Sequence, residues 1–303
     1  ATGLSKALEA LGVDVKAIAK DDPSQAVLSA QLNAQLGGIA PRLGSLVSTA
    51  NLLLEHGDQP LAKWLQAESA NGYLTMTAHA CPIVPGDLLR QFLWSQVRGA
   101  IVTSASLTSC GSFDYFLKEA GLANKPYVTA LEVASPFNYA KQGSLTVVHT
   151  QADPKHADAY TAEVVRALME DMEQVKRGAL VLFTSRAQMR TASEAVPGHM
   201  MDMVLVQGTQ SRTRLLATHA ERVESGLPSV LFGLQSFGEG LDLPGALCET
   251  VFIAKLPFAP PSDPVDEARA EWLRSVGRDP FNELVIPATG VKLLQWTGRA
   301  IRT

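Results

Sequence analysis

From residue 140 onward, short apolar runs alternate with helix-length stretches, and few architectures accept that rhythm. The runs are Leu145–His149, Ala179–Phe183, Met203–Gln207, Ser229–Gly233 and Val251–Ala254. Between and after them lie amphipathic segments at Ala157–Gln174, Arg186–Ala195, Gln210–Glu221 and Asp266–Val276. Strands that are apolar throughout are buried on both faces, so the pattern predicts an α/β fold with a parallel sheet and flanking helices. Ligands of such sheets gather at the carboxyl ends of the strands. The polar clusters fall there: Ser104 and Ser106, Thr184-Ser185-Arg186, and Ser236 to Asp242.

The first 70 or so residues have a different character, with apolar positions three and four apart and almost no strand signal. Asp22-Pro23-Ser24 ends a first helix, and Gly37-Gly38 with Pro41 predicts a break in a long second one. The pattern changes near Gly72-Tyr73. Leu74 to Cys81 alternates like a strand, Asp87 to Val97 reads as an amphipathic helix, and Gly99–Thr103 reads as a short buried strand. Ser112 to Gly121 predicts a further helix closed by its terminal glycine.

At 303 residues with 46% hydrophobic content, the chain suffices for one large domain or two ordinary ones. The net charge of −4 argues mildly against a general grip on a phosphate backbone, so any nucleic-acid contact must come from local clusters. The three cysteines, Cys81, Cys110 and Cys248, lack CxxC spacing and read as small buried hydrophobes. Six scattered histidines without an HExxH arrangement give no metal site. No apolar run reaches membrane-spanning length, and the start lacks the features of a signal peptide, so a cytoplasmic location is expected. Both ends read as cuts through a longer protein.

The sharpest chemical signal is Gln295-Trp-Thr-Gly298-Arg299-Ala-Ile-Arg302. Two arginines three apart, expected near the start of a helix, place their guanidinium groups on one face. A planar fork that is always charged suits the charge that develops on a transferred phosphoryl group. Upstream, Ser236-Phe-Gly-Glu239-Gly240-Leu-Asp242 follows an apolar run, and glycines at 238, 240 and 245 permit tight backbone with positive φ. Thr103-Ser104-Ala-Ser106 and Thr184-Ser185-Arg186 offer hydroxyls and N–H groups to phosphate oxygens, and read equally as helix N-caps. Pro257 to Pro264 and Ser135-Pro136-Phe137 are rigid segments that suit either base stacking or plain packing. Asp266-Glu267 opens a helix after Pro264, where the macrodipole favours acidic residues, and is not a metal box. No GxxxxGK[ST] loop occurs, so the chain cannot cradle a triphosphate by itself.

Taken in order, Val102–Leu107, Ser135–Phe137, Val181–Ser185, Gln235–Gly245, Lys255–Pro264 and Gln295–Arg302 resemble the motifs of the DinG family of superfamily 2 DNA helicases, relatives of the XPD group. The resemblance covers roughly residues 73 to 303. It implies a helical arch-like segment over 1–72, the returning edge of a first motor domain over 73–125, and a second RecA-like motor domain over 126–303. It further implies ATP and Mg2+ bound mainly by a first motor domain outside this chain, and an iron–sulfur cluster whose cysteines lie upstream. Single-stranded and forked duplex DNA would be the partners, together with the protein's own N-terminal motor domain.

By the same resemblance Arg299 and Arg302 would meet the γ-phosphate, with Gln295 contacting nucleotide or ordering the arginines. Glu239, Gly240, Asp242 and Gly298 would couple nucleotide to DNA. Ser104, Ser106, Ser135, Thr184, Ser185 and Ser236 would track the strand. Gly238 stands where many relatives carry tryptophan, and Ser106 where threonine is commoner. The competing readings are a non-catalytic nucleic-acid- or protein-binding module on the same fold, and a helicase-like domain fused to a nuclease.

Overall fold

The computed structural model describes residues 2–55, 60–70, 72–259 and 263–301. Its elements run α1 (Thr2–Asp21), α2 (Ala26–Leu54), β1 (Leu61–Ala70), β2 (Tyr73–Pro82), α3 (Pro85–Leu89), α4 (Asp114–Glu119), α5 (Tyr139–Gln142) and α6 (Ala157–Met172). There follow β3 (Gly178–Leu182), α7 (Arg186–Glu194), β4 (Val204–Val206), α8 (Arg212–Glu224), β5 (Ser229–Gly233), α9 (Gln235–Gly238), β6 (Thr250–Ile253), α10 (Pro264–Ser275) and α11 (Ile286–Thr297). Two compact units result: Ala1–Leu88 with Pro260–Pro280, and Leu89–Ala259 with Phe281–Thr303.

In the first unit α1 and α2 pack together, and Asp22 caps the turn between them by accepting from Ser24 N at 2.9 Å. The expected break at Gly37-Gly38 and Pro41 does not occur, because α2 runs through all three. Proline leaves the carbonyl four residues back without its donor. Here that carbonyl belongs to Gly37, which is exposed, so the missing donor leaves no buried polar group behind. The helical reading of residues up to 70 also needs correction. Leu61–Ala70 is a strand, paired antiparallel with β2 from Leu61↔Pro82 to Ala70↔Tyr73. Gly72, at φ +79, lies in the connecting turn. Asp263 caps α10 by accepting from Val265 N at 2.9 Å and Asp266 N at 3.1 Å, so the acidic first turn is a helix start as expected.

The second unit is built on a four-stranded sheet ordered β4-β5-β3-β6, parallel throughout. Alternate residues of its central strands feed two cores. Ala179, Val181, Phe183, Val230 and Phe232 face α6 and α7 through Leu168, Met172, Met189 and Ala192. Leu180, Leu182 and Leu231 face Leu215 of α8, Phe237, Leu241, Leu243 and Trp296. Both β3 and β5 are buried along their whole length, which is why they read as unbroken apolar runs.

Two predicted strands are absent. Gly99–Thr103 and Leu145–His149 are irregular, and Leu145 and Val147 are exposed. Neither segment pairs with the sheet's edge strands, and an apolar run without a ladder partner has no reason to stay extended. The Asp87–Val97 helix is α3 followed by a single π-turn at Arg90–Trp94. Gly121 closes α4 at φ +70, donating to Lys118 O at 3.0 Å, as its position foretold.

Candidate nucleotide-coupling site

The parallel sheet brings its loops to one edge, and the segment after β5 is the focus of that edge. Residues 235–238 form the single turn α9, then the chain bends at Glu239-Gly240 and runs on without regular structure to Leu243. Phe237, Leu241 and Leu243 are buried in the core beneath, while Ser236, Glu239, Gly240 and Asp242 are exposed. That alternation pins the loop by its apolar residues and presents the polar ones to solvent. Gly240 and Gly245 have positive φ, +73 and +54. Gly238 has a different reason to be glycine: a Cβ there would lie 2.0 Å from Trp296 Nε1 and 2.5 Å from its Cδ1. The indole of Trp296, fully buried, occupies the space above residue 238.

Arg299 does not start a helix. It follows the C-cap Gly298 of α11, in the turn beyond Thr297. Its side chain does not project into an open groove either, since it is only 6% exposed. Nε donates to Gly238 O at 3.0 Å and Nη1 donates to Leu241 O. The arginine therefore holds the 238–241 backbone of its own unit, and the two motifs singled out in the sequence are one structure. Arg302 lies outside the described residues, as do Pro260, Pro261 and Ser262 of the proline-rich segment.

Gln295, one turn before Arg299, donates from Nε2 to Ser106 Oγ at 3.2 Å. The Ser106 N–H in turn donates to Ser104 Oγ at 3.2 Å. The adjoining 109–112 turn seats on α11: Ser109 Oγ donates to Pro287 O at 2.7 Å, and Gly290 leaves room for Ser109 and Cys110. The Ser104–Ser106 cluster and the Gln295 motif are thus joined. Thr184 and Ser185 are exposed after β3, and Ser185 caps α7 by accepting from Gln188 N at 3.1 Å. Ser135 is exposed and forms a local turn, its Oγ accepting from Phe137 N at 3.3 Å with Tyr139 Oη 2.9 Å away. The hydrogen bonds of Ser135 and Ser185 are local to their own segments.

Three residues that the sequence reading passed over take part. Gln207, just after β4, accepts from Leu234 N at 2.8 Å and donates to Ser236 Oγ at 3.0 Å. Arg212, the first residue of α8, donates to Gly240 O at 2.7 Å and lies 5.8 Å from the Phe237 ring centroid. Trp296 is the third. The signal for Gln207 and Arg212 was positional: a polar residue directly after a strand and a basic one opening the next helix.

A family model described as the helicase C-terminal domain matches residues 168–303. The ATP-dependent DNA helicase DinG of Photobacterium profundum is 36% identical over 308 residues, covering 98% of this chain. The chain belongs to the DinG helicase family. DinG of Salmonella typhimurium is 39% identical over 247 residues, 80% of the chain, and that of Escherichia coli K12 is 37% identical over 254 residues, 83% of the chain. The chain spans 44% of the length of the Photobacterium DinG and 34% and 35% of the other two. Among solved structures, Xpd4 of S. tokodaii aligns over 99% of this chain and 64% of its own, with 12% identity and a TM-score of 0.39.

Proposed function

We propose that this chain is the C-terminal portion of an ATP-dependent DNA helicase that translocates on single-stranded DNA and unwinds duplexes. The observation that carries the reading is the buried Arg299 fork on Gly238 O and Leu241 O, which ties the two family motifs into one unit at a strand-end edge. A DNA-coupled motor needs such a joint, so that a change at the nucleotide is felt by the loop that meets the strand. Residues 1–72 are assigned to an arch-like segment, 73–125 to the edge of the first motor domain, and 126–303 to the second.

ATP and Mg2+ are assigned mainly to the first motor domain, because this chain lacks the glycine-rich loop that cradles phosphates. Bound there, the pair supplies the γ-phosphoryl group and the metal charge that offsets its oxygens. Arg302 is the arginine proposed to meet that group. Arg299, committed to internal carbonyls, holds the loop that bears Glu239 and Asp242, and Gln295 ties this arrangement to Ser106. Exposed hydroxyls at Ser104, Ser135, Thr184, Ser185 and Ser236 are proposed to follow the phosphates of a single strand or a forked duplex.

The test is ATP turnover of the full-length protein with and without single-stranded DNA. DNA-stimulated turnover is expected, and Arg302→Ala is expected to lower it by roughly 10³-fold, the scale of an arginine finger. Wild-type turnover by Arg302→Ala would remove that residue from the nucleotide. Absence of DNA stimulation in the wild-type protein would favour the binding-module alternative.

A further inference from the structure

The 234–242 loop is glycine-rich, yet its backbone is held at several points by side chains from elsewhere. Glycine carries the largest backbone entropy, so such a loop is defined only if its polar groups are engaged. Arg299 takes the carbonyls of 238 and 241. The carbonyl of Gly240 and the entrance of the loop are taken by two residues outside both motifs. The amide of Gln207 uses both of its ends, accepting from Leu234 N and donating to Ser236 Oγ. Arg212 donates to Gly240 O from one side of the loop and lies beside the Phe237 ring. Gln207 is anchored at the sheet, because its own N–H donates to Phe232 O at 2.9 Å. Arg212 is anchored by the capped start of α8, where Ser211 Oγ accepts from Arg214 N at 3.4 Å.

We propose that Gln207 and Arg212 are positioning residues that hold the 234–242 loop in one conformation and thereby couple ATP turnover to strand movement. The coupling half rests on the helicase reading; the positioning half does not. Glu239 and Asp242 gain a fixed placement from these two braces together with Arg299. Losing either brace leaves the nucleotide site intact but lets the coupling residues wander.

The experiment uses full-length protein carrying Gln207→Leu, Gln207→Glu, Arg212→Met or Arg212→Lys. Hydrogen exchange of the 234–241 amides, read against the buried amides of β3, is expected to speed up about 10-fold in the Leu and Met variants, the scale of one lost hydrogen bond. Base pairs opened per ATP are expected to fall by about 10-fold or more, with KM for ATP within about twofold of wild type. Gln207→Glu retains an acceptor for Leu234 N–H and can accept from the Ser236 hydroxyl, so it recovers most of the coupling, as does Arg212→Lys. Unchanged exchange in the Leu and Met variants overturns the positioning role, whatever the protein's activity. Faster exchange with unchanged coupling overturns the coupling role. A wild-type protein without DNA-stimulated turnover removes the helicase reading and the coupling half with it, and the exchange measurement still decides the other half.

Discussion

At residue 238 the absence of a side chain is what the site requires. A Cβ there would meet three atoms of the Trp296 indole at 2.0, 2.5 and 2.7 Å, and a buried ring cannot yield that much. Gly238→Ala is therefore expected to cost about 1–3 kcal/mol or more through overpacking. Trp296→Ala is expected to cost about 3–5 kcal/mol through the cavity it leaves. The double variant should cost less than the sum, because the new methyl occupies part of that cavity. Denaturant unfolding of the three proteins measures this, and strict additivity would disprove the contact. The close approach of the Trp296 indole from α11 is what requires glycine at 238.

At the scale of elements, His219 joins α8 to β5 and to the turn that precedes β6. Its Nε2 donates to Leu247 O at 2.8 Å and its Nδ1 lies 2.8 Å from Ser229 Oγ. Burial holds its pKa below the ordinary histidine value of 6.5, with the Leu247 carbonyl opposing in part. The neutral ring is thus favoured in the folded state, and the unfolded chain binds more protons as the medium acidifies. The stability this provides is complete above pH 6.5 and is lost as pH falls from there through the depressed folded value. The thermal midpoint of the wild-type protein should drop between pH 7.5 and 5, and His219→Gln should flatten that dependence. An equal slope in the variant would assign the effect elsewhere. The hairpin teaches a separate lesson about elements. Leu61–Ala70 contains no β-branched residue, so its own composition hid a strand that the register with β2 imposes. The Asn71-Gly72 dipeptide ahead of an alternating run was the available signal.

For the whole molecule, the chain matches the helicase C-terminal domain over residues 168–303 and contains no GxxxxGK[ST] loop of the kind that cradles a triphosphate. Residues 1–303 alone are expected to hydrolyse essentially no ATP, with or without DNA, and measurable DNA-stimulated turnover from them would refute the division of labour proposed above. The parallel sheet, its flanking helices and the strand-end placement of Ser236–Asp242 were legible in the sequence, because a strand buried on both faces must be apolar along its length. The helix cap at Ser185, the helix start at Asp266-Glu267 and the C-terminal glycine of α4 were legible too, since helix ends are set by neighbours within a few residues. What only the tertiary structure decided depends on partners far along the chain. Gly99–Thr103 and Leu145–His149 carry strand-like patterns but find no ladder in the sheet. Arg299 reads as a free fork in the sequence and is buried against carbonyls 61 and 58 residues earlier. Local pattern records how a segment prefers to lie, whereas a hydrogen bond across that separation exists only once the sheet has brought both ends together.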